Sequence, residues 1–472
     1  MPRKTFKPHD YQRDIAQHQL DLARGGVWAA MGTGKTVSTL TAQASLQMSG
    51  EETKPFLVLA PLRVAKFTWP DEAAKWEHLS GTEITPIIAP NAQTRHNLLF
   101  KALASGNSAG YTINYENIPW LIKTLKDTRM GWPFGTLIAD ELTRLKSHRT
   151  HQGGQRARAL AAVAHSHVSR FVGLTGTPAP NGLKDLWGQT WFIDRGQRLG
   201  STYTAFMNRW FHAHPSGYGM VAHEWAEEQI HDVLRDIYVS IDHKLPVEAP
   251  IENTIRVELP DKARQAYREM EKQMFTELHG HELEAATAAA KSIKCLQLAS
   301  GAAYTDDKGN WVEVHDAKLQ ALASVVEEAN GMPVLVAYHF KSDLARLKRH
   351  FPHGRVFDTD EDTLRDWNAG RLPIMFVHPS SSGHGISLQD GGNIIVFFSH
   401  WWSLEEFQQV IERIGPVRQM QAGHKRPVFI HYIVARDTLD EAVMDRRMSK
   451  ADVQDVLLAA MRRREKGKEL GD

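Results

Sequence analysis

Eight short apolar runs, separated by longer amphipathic stretches, constrain the fold of this 472-residue chain more than any other feature. Runs of this length, spaced by helix-length segments, are typical of parallel strands joined by crossover helices. In the first half they lie at residues 26–30, 56–61, 136–140 and 171–176, and in the second half at residues 333–338, 373–377, 393–398 and 428–434. The sequence therefore predicts two α/β domains in tandem, each built on a parallel sheet.

The stretch between the two halves loses this alternation. Residues 194–260 carry mixed, aromatic sequence such as NRWFHAHPSGYG, which we interpret as a mostly helical insertion or bridging segment. The expected organisation is a first domain at 1–193, the bridging segment at 194–260, a second domain at 261–445 and a charged helical tail at 446–472. Within the second domain, residues 261–278 are predicted to form a helix with one packed face: Tyr267, Met270, Met274 and Leu278.

The composition fits a folded protein and argues against several other classes. Hydrophobic residues make up 42% of the chain and charged residues 24%, and no apolar run approaches the roughly 20 residues that a membrane helix needs. The opening MPRKTFKPHD has no apolar core after its charges, and the one cysteine, Cys295, cannot form an internal disulfide. We expect a cytoplasmic monomer with no membrane partner.

The net charge of +1 gives no overall attraction for polyanions, so any such site must be local. Three basic clusters are candidates: Arg144, Lys146, His148 and Arg149; Lys341, Arg346, Lys348 and Arg349; and Arg462, Arg463, Arg464, Lys466 and Lys468. Charge runs are more often solvated helix faces, and this is the favoured interpretation of each cluster taken alone. The 24 histidines show no metal-ligand spacing, so we predict no zinc site.

The segment AAMGTGKT, residues 29–36, follows a predicted strand and opens a helical stretch, which is the context that a phosphate-binding loop requires. The residues expected to bind the nucleotide are Met31, Gly32, Thr33, Gly34, Lys35 and Thr36. The glycines let the backbone approach the phosphates, Lys35 would contact the β- and γ-phosphates, and the hydroxyl of Thr36 would bind Mg²⁺. Ala29 stands where the usual motif has its first glycine.

The segment LIADE, residues 137–141, would complete a nucleotide-hydrolysing site. A predicted strand delivers Asp140 at its C-terminal end, where ligands collect in open α/β sheets. Asp140 would hold Mg²⁺, and Glu141 would orient and deprotonate the attacking water. An isolated Asp-Glu pair is more often a helix cap, but the catalytic interpretation is favoured beside Lys35. In LTGTP, residues 174–178, two threonine hydroxyls could relay the state of the γ-phosphate.

These segments, in this order, resemble motifs I, II and III of superfamily two helicases. DELTRLKS followed by LTGTPAPNGLKDLW is similar, more narrowly, to the Swi/Snf-like branch, whose members translocate on DNA. The resemblance implies two RecA-like domains, ATP as the nucleotide, and Gln12 as the residue that reads adenine. It also implies that Arg63, Tyr115 and Lys146 lie nearest the nucleic acid.

The stretch QQVIERIGPVRQMQ, residues 408–421, resembles motif VI of the same family and would supply two catalytic arginines. Arg413 keeps the family spacing from Gln409, whereas Arg418 matches the second arginine only if a turn at Gly415-Pro416 absorbs an insertion. The alternative for Arg413 is an ion pair with a nearby glutamate: Glu405, Glu406 or Glu412. Upstream, SSSGHGISLQ resembles motif V and makes Gly385 a nucleotide-binding residue, although such a segment by itself would be a Ser/Gly-rich surface loop.

The resemblance extends from Gln12 to about residue 445 and implies an ATP-dependent DNA helicase or translocase with Mg²⁺ as cofactor. The expected partners are duplex, branched or single-stranded DNA and proteins of replication or recombination. The spacing of SGHG, LQ and WWSLE is also similar to compact versions encoded by bacteriophages, which implies the cytoplasm of a bacterial or phage-infected cell. Two alternatives stay open: a nucleotide-gated DNA-binding recruitment factor, and an RNA helicase.

Overall fold

The computed structural model of the protein describes residues 3–29, 32–150, 154–176, 178–179, 182–213, 220–241, 247–278, 285–306, 309–357, 360–380 and 388–449. Within these ranges the chain forms two compact units, divided near residue 244. None of the described helices is long and apolar enough to cross a membrane.

A parallel sheet forms the centre of the first unit. The described strands of this unit are β1 (Arg24–Ala29), β2 (Phe56–Ala60), β3 (Ile84–Pro86), β4 (Gly110–Asn114), β5 (Thr136–Asp140), β6 (Arg170–Thr175), β7 (Phe211–Ala213), β8 (Met220–Ala222) and β9 (Tyr238–Ile241). Seven of them form one sheet in the order β3-β4-β2-β5-β6-β1-β9, and every neighbouring pair is parallel. The other two, β7 and β8, form an antiparallel hairpin.

Helices connect these strands, as parallel crossovers require. They are α1 (Asp10–Asp21), α2 (Lys35–Met48), α3 (Trp69–Lys75), α4 (Ala92–Ser105), α5 (Ile118–Asp127), α6 (Gln155–Ala164), α7 (Asp185–Asp194), α8 (Tyr203–Trp210) and α9 (Ala226–Leu234). Shorter turns follow several strands: a π-helical turn at Val64–Thr68 and 3-10 turns at Glu77–Leu79, Tyr115–Asn117 and Leu142–Leu145.

The second unit repeats this plan with a second parallel sheet. Its described strands are β10 (Ile251–Val257), β11 (Ala302–Tyr304), β12 (Trp311–Glu313), β13 (Val334–Ala337), β14 (Arg355–Val356), β15 (Ile374–Val377), β16 (Ile394–Phe397) and β17 (Phe429–Ala435). The sheet order is β10-β17-β16-β13-β15-β14, all parallel, and β11 pairs with β12 as a hairpin. The helices are α10 (Asp261–Leu278), α11 (Ala285–Ser300), α12 (Ala317–Glu328), α13 (Lys341–His350), α14 (Glu361–Asn368), α15 (Leu404–Ile411), α16 (Pro416–Gln421) and α17 (Leu439–Ser449).

The predicted fold class, two parallel α/β domains in tandem, is confirmed. All eight predicted strands are present, as β1, β2, β5, β6, β13, β15, β16 and β17. Every residue of β2 and of β13 is buried, which explains why these strands are continuous apolar runs. The sheet strands that were not predicted lie at sheet edges, apart from β4, which contains Gly110. A Cβ on Gly110 would lie 2.2 Å from the ring of Phe56, so close packing of that ring explains the glycine.

The predicted bridging segment, residues 194–260, contributes a strand to each sheet. It contains α8, the β7–β8 hairpin and α9, and then β9, which pairs with β1, and β10, which pairs with β17. The division between the units falls inside this segment. Every residue of β10 is exposed or half-buried, so an edge strand of this kind carries no apolar run that would reveal it in the sequence.

The helix predicted at residues 261–278 is present as α10. Tyr267 and Met274 are buried and Met270 packs against the same cluster, so the predicted packed face is confirmed for these three residues. The side chain of Leu278 and the tail from residue 450 onward lie outside the described part of the chain.

Candidate active site

The phosphate-loop residues lie between β1 and α2. Gly32 and Gly34 have φ angles of 79° and 81°, in the left-handed region that residues with a Cβ rarely adopt. A Cβ on Gly34 would also lie 2.3 Å from the side-chain amide nitrogen of Gln12. Backbone conformation and close packing therefore both require glycine at Gly34. Met31 lies outside the described residues.

Lys35 is the first residue of α2, so the N-terminus of a 14-residue helix faces the loop. Its Nζ donates to the carbonyl oxygen of Ala29 at 2.5 Å, which keeps the ammonium against the loop backbone. Thr36 follows in the first turn of the helix and is half-buried. An anion in this loop would meet both the helix N-terminus and the ammonium of Lys35, which is the arrangement that phosphate groups require.

Gln12 ties the first helix to the phosphate loop. Its Oε1 accepts a hydrogen bond from the backbone N–H of His9 at 3.0 Å, and its Nε2 donates to the carbonyl of Thr33 at 3.1 Å. The residue is 9% exposed. Beside it, the rings of His9 and Tyr11 stack with their centroids 5.3 Å apart. The residue predicted to read adenine thus lies against the loop that is predicted to hold the phosphates.

The Asp-Glu pair and Thr175 lie at the same edge of the sheet as this loop. Asp140 ends β5 and pairs in register with Leu174 of β6, and Thr175 pairs with Trp28 of β1. Because β5, β6 and β1 are parallel neighbours, the residues that follow them meet at one edge. The structure therefore brings together the three segments of the first half that were predicted to form the site. Thr177 lies outside the described residues.

Two side chains, one at the start of α3 and one in the 3-10 turn after β4, hold the Asp-Glu pair. The indole N–H of Trp69 donates to Oδ2 of Asp140 at 2.9 Å. The hydroxyl of Tyr115 lies 2.9 Å from the carbonyl oxygen of Asp140 and 3.3 Å from that of Glu141. Glu141 itself has φ 63° and ψ 62°, a conformation that costs about 1–2 kcal/mol in a residue with a Cβ. These hydrogen bonds therefore stabilise a turn that is locally unfavourable.

Trp69 was missed as a site residue by the sequence reasoning. It closes the segment LAPLRVAKFTW, but the indole contacts a carboxylate 71 positions away in the chain. Such a contact leaves no local pattern, and only the packing of α3 against the sheet reveals it.

The three residues predicted to face nucleic acid lie in different surroundings. Arg63 is half-buried at the start of the Val64–Thr68 turn. Lys146 has a side chain that is 30% exposed, with Nζ 3.5 Å from Oδ2 of Asp185. Tyr115 is only 1% exposed, because it packs in the core beneath the Asp-Glu pair. A side chain so buried offers no surface to a nucleic acid, and its predicted contact is not supported.

Two of the basic clusters contain buried residues. In the first, His148 is 2% exposed, and burial lowers its pKa to about 4. In the second, Arg346 is 0% exposed and donates to the carbonyl oxygen of Ser300 at 2.7 Å and to Glu313 at 3.0 Å. Arg346 is thus a structural residue of the second unit and does not form part of a surface for polyanions.

The two arginines of the second unit lie in and after a helix break. α15 ends at Ile411 and α16 begins at Pro416 with Gly415 as its N-cap, so the predicted interruption by Gly-Pro is confirmed. Arg413 lies in the intervening turn and is 4% exposed, whereas Arg418 is half-buried within α16. Gly385 and the other residues from 381 to 387 lie outside the described part of the chain.

The carboxylate of Asp140 and the hydroxyl of Thr36 fit a magnesium ion that is bound together with a nucleotide. Mg²⁺ is commonly held by one or two carboxylates plus substrate phosphates rather than by an all-protein cage. Asp140 and Thr36 provide one carboxylate and one hydroxyl. Across the described ranges no group of three or more histidine, cysteine or acidic side chains could hold a metal ion.

A phosphate loop and an acidic pair at the carboxyl edge of a parallel sheet define a nucleotide hydrolase, and the chain is an ATP hydrolase of the helicase-like class. Comparison with known sequences assigns it more narrowly. Residues 15–302 match the SNF2-related domain, and the chain belongs to that family. The predicted family and enzyme class are therefore confirmed.

Several curated proteins are similar to this chain. Putative protein p41 of Acyrthosiphon pisum secondary endosymbiont phage 1 is 56% identical over 98% of this chain and 100% of that protein. The putative ATP-dependent helicase/translocase YwqA of Bacillus subtilis is 21% identical, with 96% of this chain and 49% of that protein covered. Nuclear protein STH1/NPS1 of Saccharomyces cerevisiae is 22% identical, with 91% of this chain and 33% of that protein covered. The chain thus spans less than half the length of these two larger relatives.

Among solved structures, the Sulfolobus solfataricus SWI2/SNF2 ATPase core in complex with dsDNA aligns with 95% of this chain and 92% of that chain. The sequence identity is 17% and the TM-score is 0.42.

Proposed function

We propose that the protein is an ATP-dependent DNA translocase that couples ATP hydrolysis to movement on DNA. It would act in DNA replication, recombination or repair, in the cytoplasm of a bacterial or phage-infected cell. The phage protein that matches 98% of this chain supports the phage context. The names of the larger relatives, which include a helicase/translocase, support the reaction.

The observation that carries the proposal is the convergence of the phosphate loop and Asp140-Glu141 at one edge of the first sheet. In the proposed reaction Lys35 binds the β- and γ-phosphates, and Gln12 reads adenine. The carboxylate of Glu141 orients the attacking water and takes its proton. Arg413 and Arg418 stabilise the negative charge that develops on the transferred phosphoryl group, as arginine fingers do in other ATPases.

Magnesium is proposed as the cofactor, held by Asp140 and Thr36 together with the nucleotide. When bound, Mg²⁺ neutralises charge on the phosphate oxygens. Removal of the ion with EDTA is therefore expected to abolish hydrolysis.

The proposed DNA contacts are mainly to phosphates, through Arg63 and Lys146. Contacts of this kind position a protein on nucleic acid without reading its sequence, and they weaken as salt rises because counterions compete. The stimulation of ATPase activity by DNA should therefore fall with increasing salt. Stimulation that is independent of salt would contradict this assignment.

The decisive experiment compares ATPase activity without nucleic acid and with single-stranded DNA, duplex DNA, branched DNA and RNA. Stimulation by DNA is expected, and Glu141→Gln should bind ATP but not hydrolyse it. A stronger response to RNA would favour an RNA helicase. ATP-dependent DNA binding without turnover would favour a recruitment factor, and no response to any polynucleotide would refute the proposal.

Strand separation and movement on duplex DNA are distinguished by two displacement assays. Displacement of a third strand from a triplex reports translocation on duplex DNA, whereas displacement of a strand from a forked duplex reports unwinding. We expect activity on the triplex, since the Swi/Snf-like relatives that the sequence resembles track along duplex DNA. Activity on the fork alone would identify a strand-separating helicase instead.

A further inference from the structure

Trp69 places its only polar group on a carboxylate of the active site. The side chain is 0% exposed, and its Nε1 lies 2.9 Å from Oδ2 of Asp140. An indole nitrogen can only donate a hydrogen bond, so the carboxylate oxygen of Asp140 is the acceptor. A donor aimed at an ionised carboxylate makes a stronger bond than one between neutral groups. The contact therefore restricts the orientation of the Asp140 side chain.

The turn that precedes Trp69 connects this contact to the protein surface. Val64–Thr68 form a π-helical turn, in which the backbone N–H of Trp69 donates to the carbonyl of Val64. Turns of this type are rare and occur frequently at functional sites. Trp69 begins α3 directly after the turn. A displacement of the turn would consequently displace the indole that holds Asp140.

The turn has an inner and an outer face of different character. Val64 and Ala65 are buried on the inner face. On the outer face Phe67 is 52% exposed and Lys66 is exposed, with its Nζ 4.9 Å from the centre of the Phe67 ring. A cation beside an exposed aromatic ring is a combination that suits contact with a polynucleotide, through phosphate and base.

We propose that Trp69 is a positioning residue for the metal-binding carboxylate of Asp140, and that it transmits contact at the Val64–Thr68 turn to the ATP site. This inference rests on the proposed function, because it assumes that Asp140 binds Mg²⁺ with ATP and that the turn meets DNA. In this proposal Trp69 acts through its hydrogen bond to Asp140 and not through a contact of its own with the nucleotide or the ion. Its role is to hold Asp140, as groups around metal ligands commonly do.

The role of Trp69 in holding Asp140, called the holding role below, is tested with Trp69→Phe, which removes the indole N–H. Mg²⁺ is titrated into the variant and the wild type while the binding of a fluorescent ATP analogue is followed. Partners of metal ligands commonly change metal affinity by 10-fold or more when mutated, so the Mg²⁺ concentration for half-maximal binding should rise roughly 10-fold. Affinity for the analogue in EDTA should stay as in the wild type, because the bond acts on the metal ligand alone.

Two other tryptophans provide matched controls. Trp187 is also 0% exposed in the first unit, and its Nε1 donates to the carbonyl of Gly200 at 2.8 Å. Trp76 donates to a carboxylate, Glu72, at 2.7 Å, but that residue is not part of the site. Trp187→Phe controls for loss of a buried indole, and Trp76→Phe controls for loss of an indole–carboxylate bond. Neither should change the Mg²⁺ requirement.

An unchanged Mg²⁺ requirement in Trp69→Phe would overturn the holding role, and so would an equal rise in Trp187→Phe. If Trp69→Phe does not fold, Trp69→Met provides the same test, because the flexible methionine side chain fills irregular core space without an N–H. This titration requires neither DNA nor turnover. It therefore remains decisive for Asp140 even if no polynucleotide stimulates the ATPase and the proposed function fails.

The transmission role is tested by repeating the Mg²⁺ titration with duplex DNA. DNA is expected to lower the Mg²⁺ requirement of the wild type, and this shift should disappear in Trp69→Phe and in the surface variant Phe67→Ala. A wild type that shows no shift, or a Trp69→Phe protein that retains it, would overturn the transmission.

Discussion

Acidification is expected to destabilise the first unit through His148. This imidazole is 2% exposed and stacks parallel to Trp187 at a ring distance of 5.8 Å. Neither of its ring nitrogens has a hydrogen-bond partner in the described part of the chain. Burial, with smaller contributions from Arg149 and His165, lowers its pKa from 6.5 to about 4. Protonation of His148 is therefore much less favourable in the folded protein than in the unfolded chain.

The sign and size of the effect follow from this difference in pKa. Because the folded pKa lies below the unfolded one, the contribution of neutral His148 is present above pH 6.5 and is lost as the pH falls toward about 4. Between pH 7.5 and pH 4.5 these values correspond to a loss of about 2.5 kcal/mol, or about 2 kcal/mol after allowance for solvent screening. For a unit of this size that is a decrease in Tm of about 4–8 °C.

The assay compares the wild type with His148→Phe, which retains an aromatic ring but cannot titrate. Thermal unfolding of both proteins is followed by circular dichroism at pH 7.5 and pH 4.5, and the variant should gain about 4–8 °C relative to the wild type at the lower pH. The same substitution at the exposed His167 is the control, and it should leave the comparison unchanged. A difference in Tm between wild type and His148→Phe that does not vary with pH would refute the reasoning.

Three further predictions concern the two units. Gly34→Ala should abolish binding of a fluorescent ATP analogue. Gly50→Ala should not, because Gly50 has a similar φ of 76° but nothing lies within 4 Å of the added Cβ. Equal effects of the two substitutions would show that backbone strain alone is responsible. Arg418→Ala should retain nucleotide binding and reduce turnover by roughly 10³–10⁵-fold, and near-normal hydrolysis would contradict its role as an arginine finger. Lys318 and Asp440 are 0% and 1% exposed and lie 2.6 Å apart, so Lys318→Met should lower the free energy of unfolding by about 3–5 kcal/mol in a urea titration. Adding Asp440→Asn should recover part of that loss, and no recovery would show that the unpaired carboxylate is not its cause.

The strands that the sequence predicted share one physical property. Strands β2, β5, β13 and β16, for example, lie inside a sheet. Both of their faces are covered, and their residues therefore form continuous apolar runs. The edge strands β9 and β10 have a face or an edge open to solvent, and their sequences therefore mix polar and apolar residues. This is why residues 194–260 were interpreted as a separate bridging segment, although the segment contributes a strand to each sheet.

Local motifs also predicted those parts of the site whose chemistry depends on residues adjacent in sequence. The glycines and Lys35 of the phosphate loop act through one turn and one helix N-terminus, so their spacing between a predicted strand and a predicted helix indicated the loop. The break between α15 and α16 at Gly415 and Pro416 was also readable, because proline is favoured in the first turn of a helix. The roles of Arg413 and Arg418 in catalysis remain predictions.

The sequence by itself determined the class of fold, the phosphate loop and the acidic pair, because each depends on the period or spacing of adjacent residues. Only the tertiary structure decided which side chains support them. It buried Tyr115 beneath Asp140 and Glu141 instead of exposing it to nucleic acid, and it brought the indole of Trp69 to Asp140. Contacts of this kind join residues far apart in the chain, and they are set by how strands and helices pack, which no local pattern records.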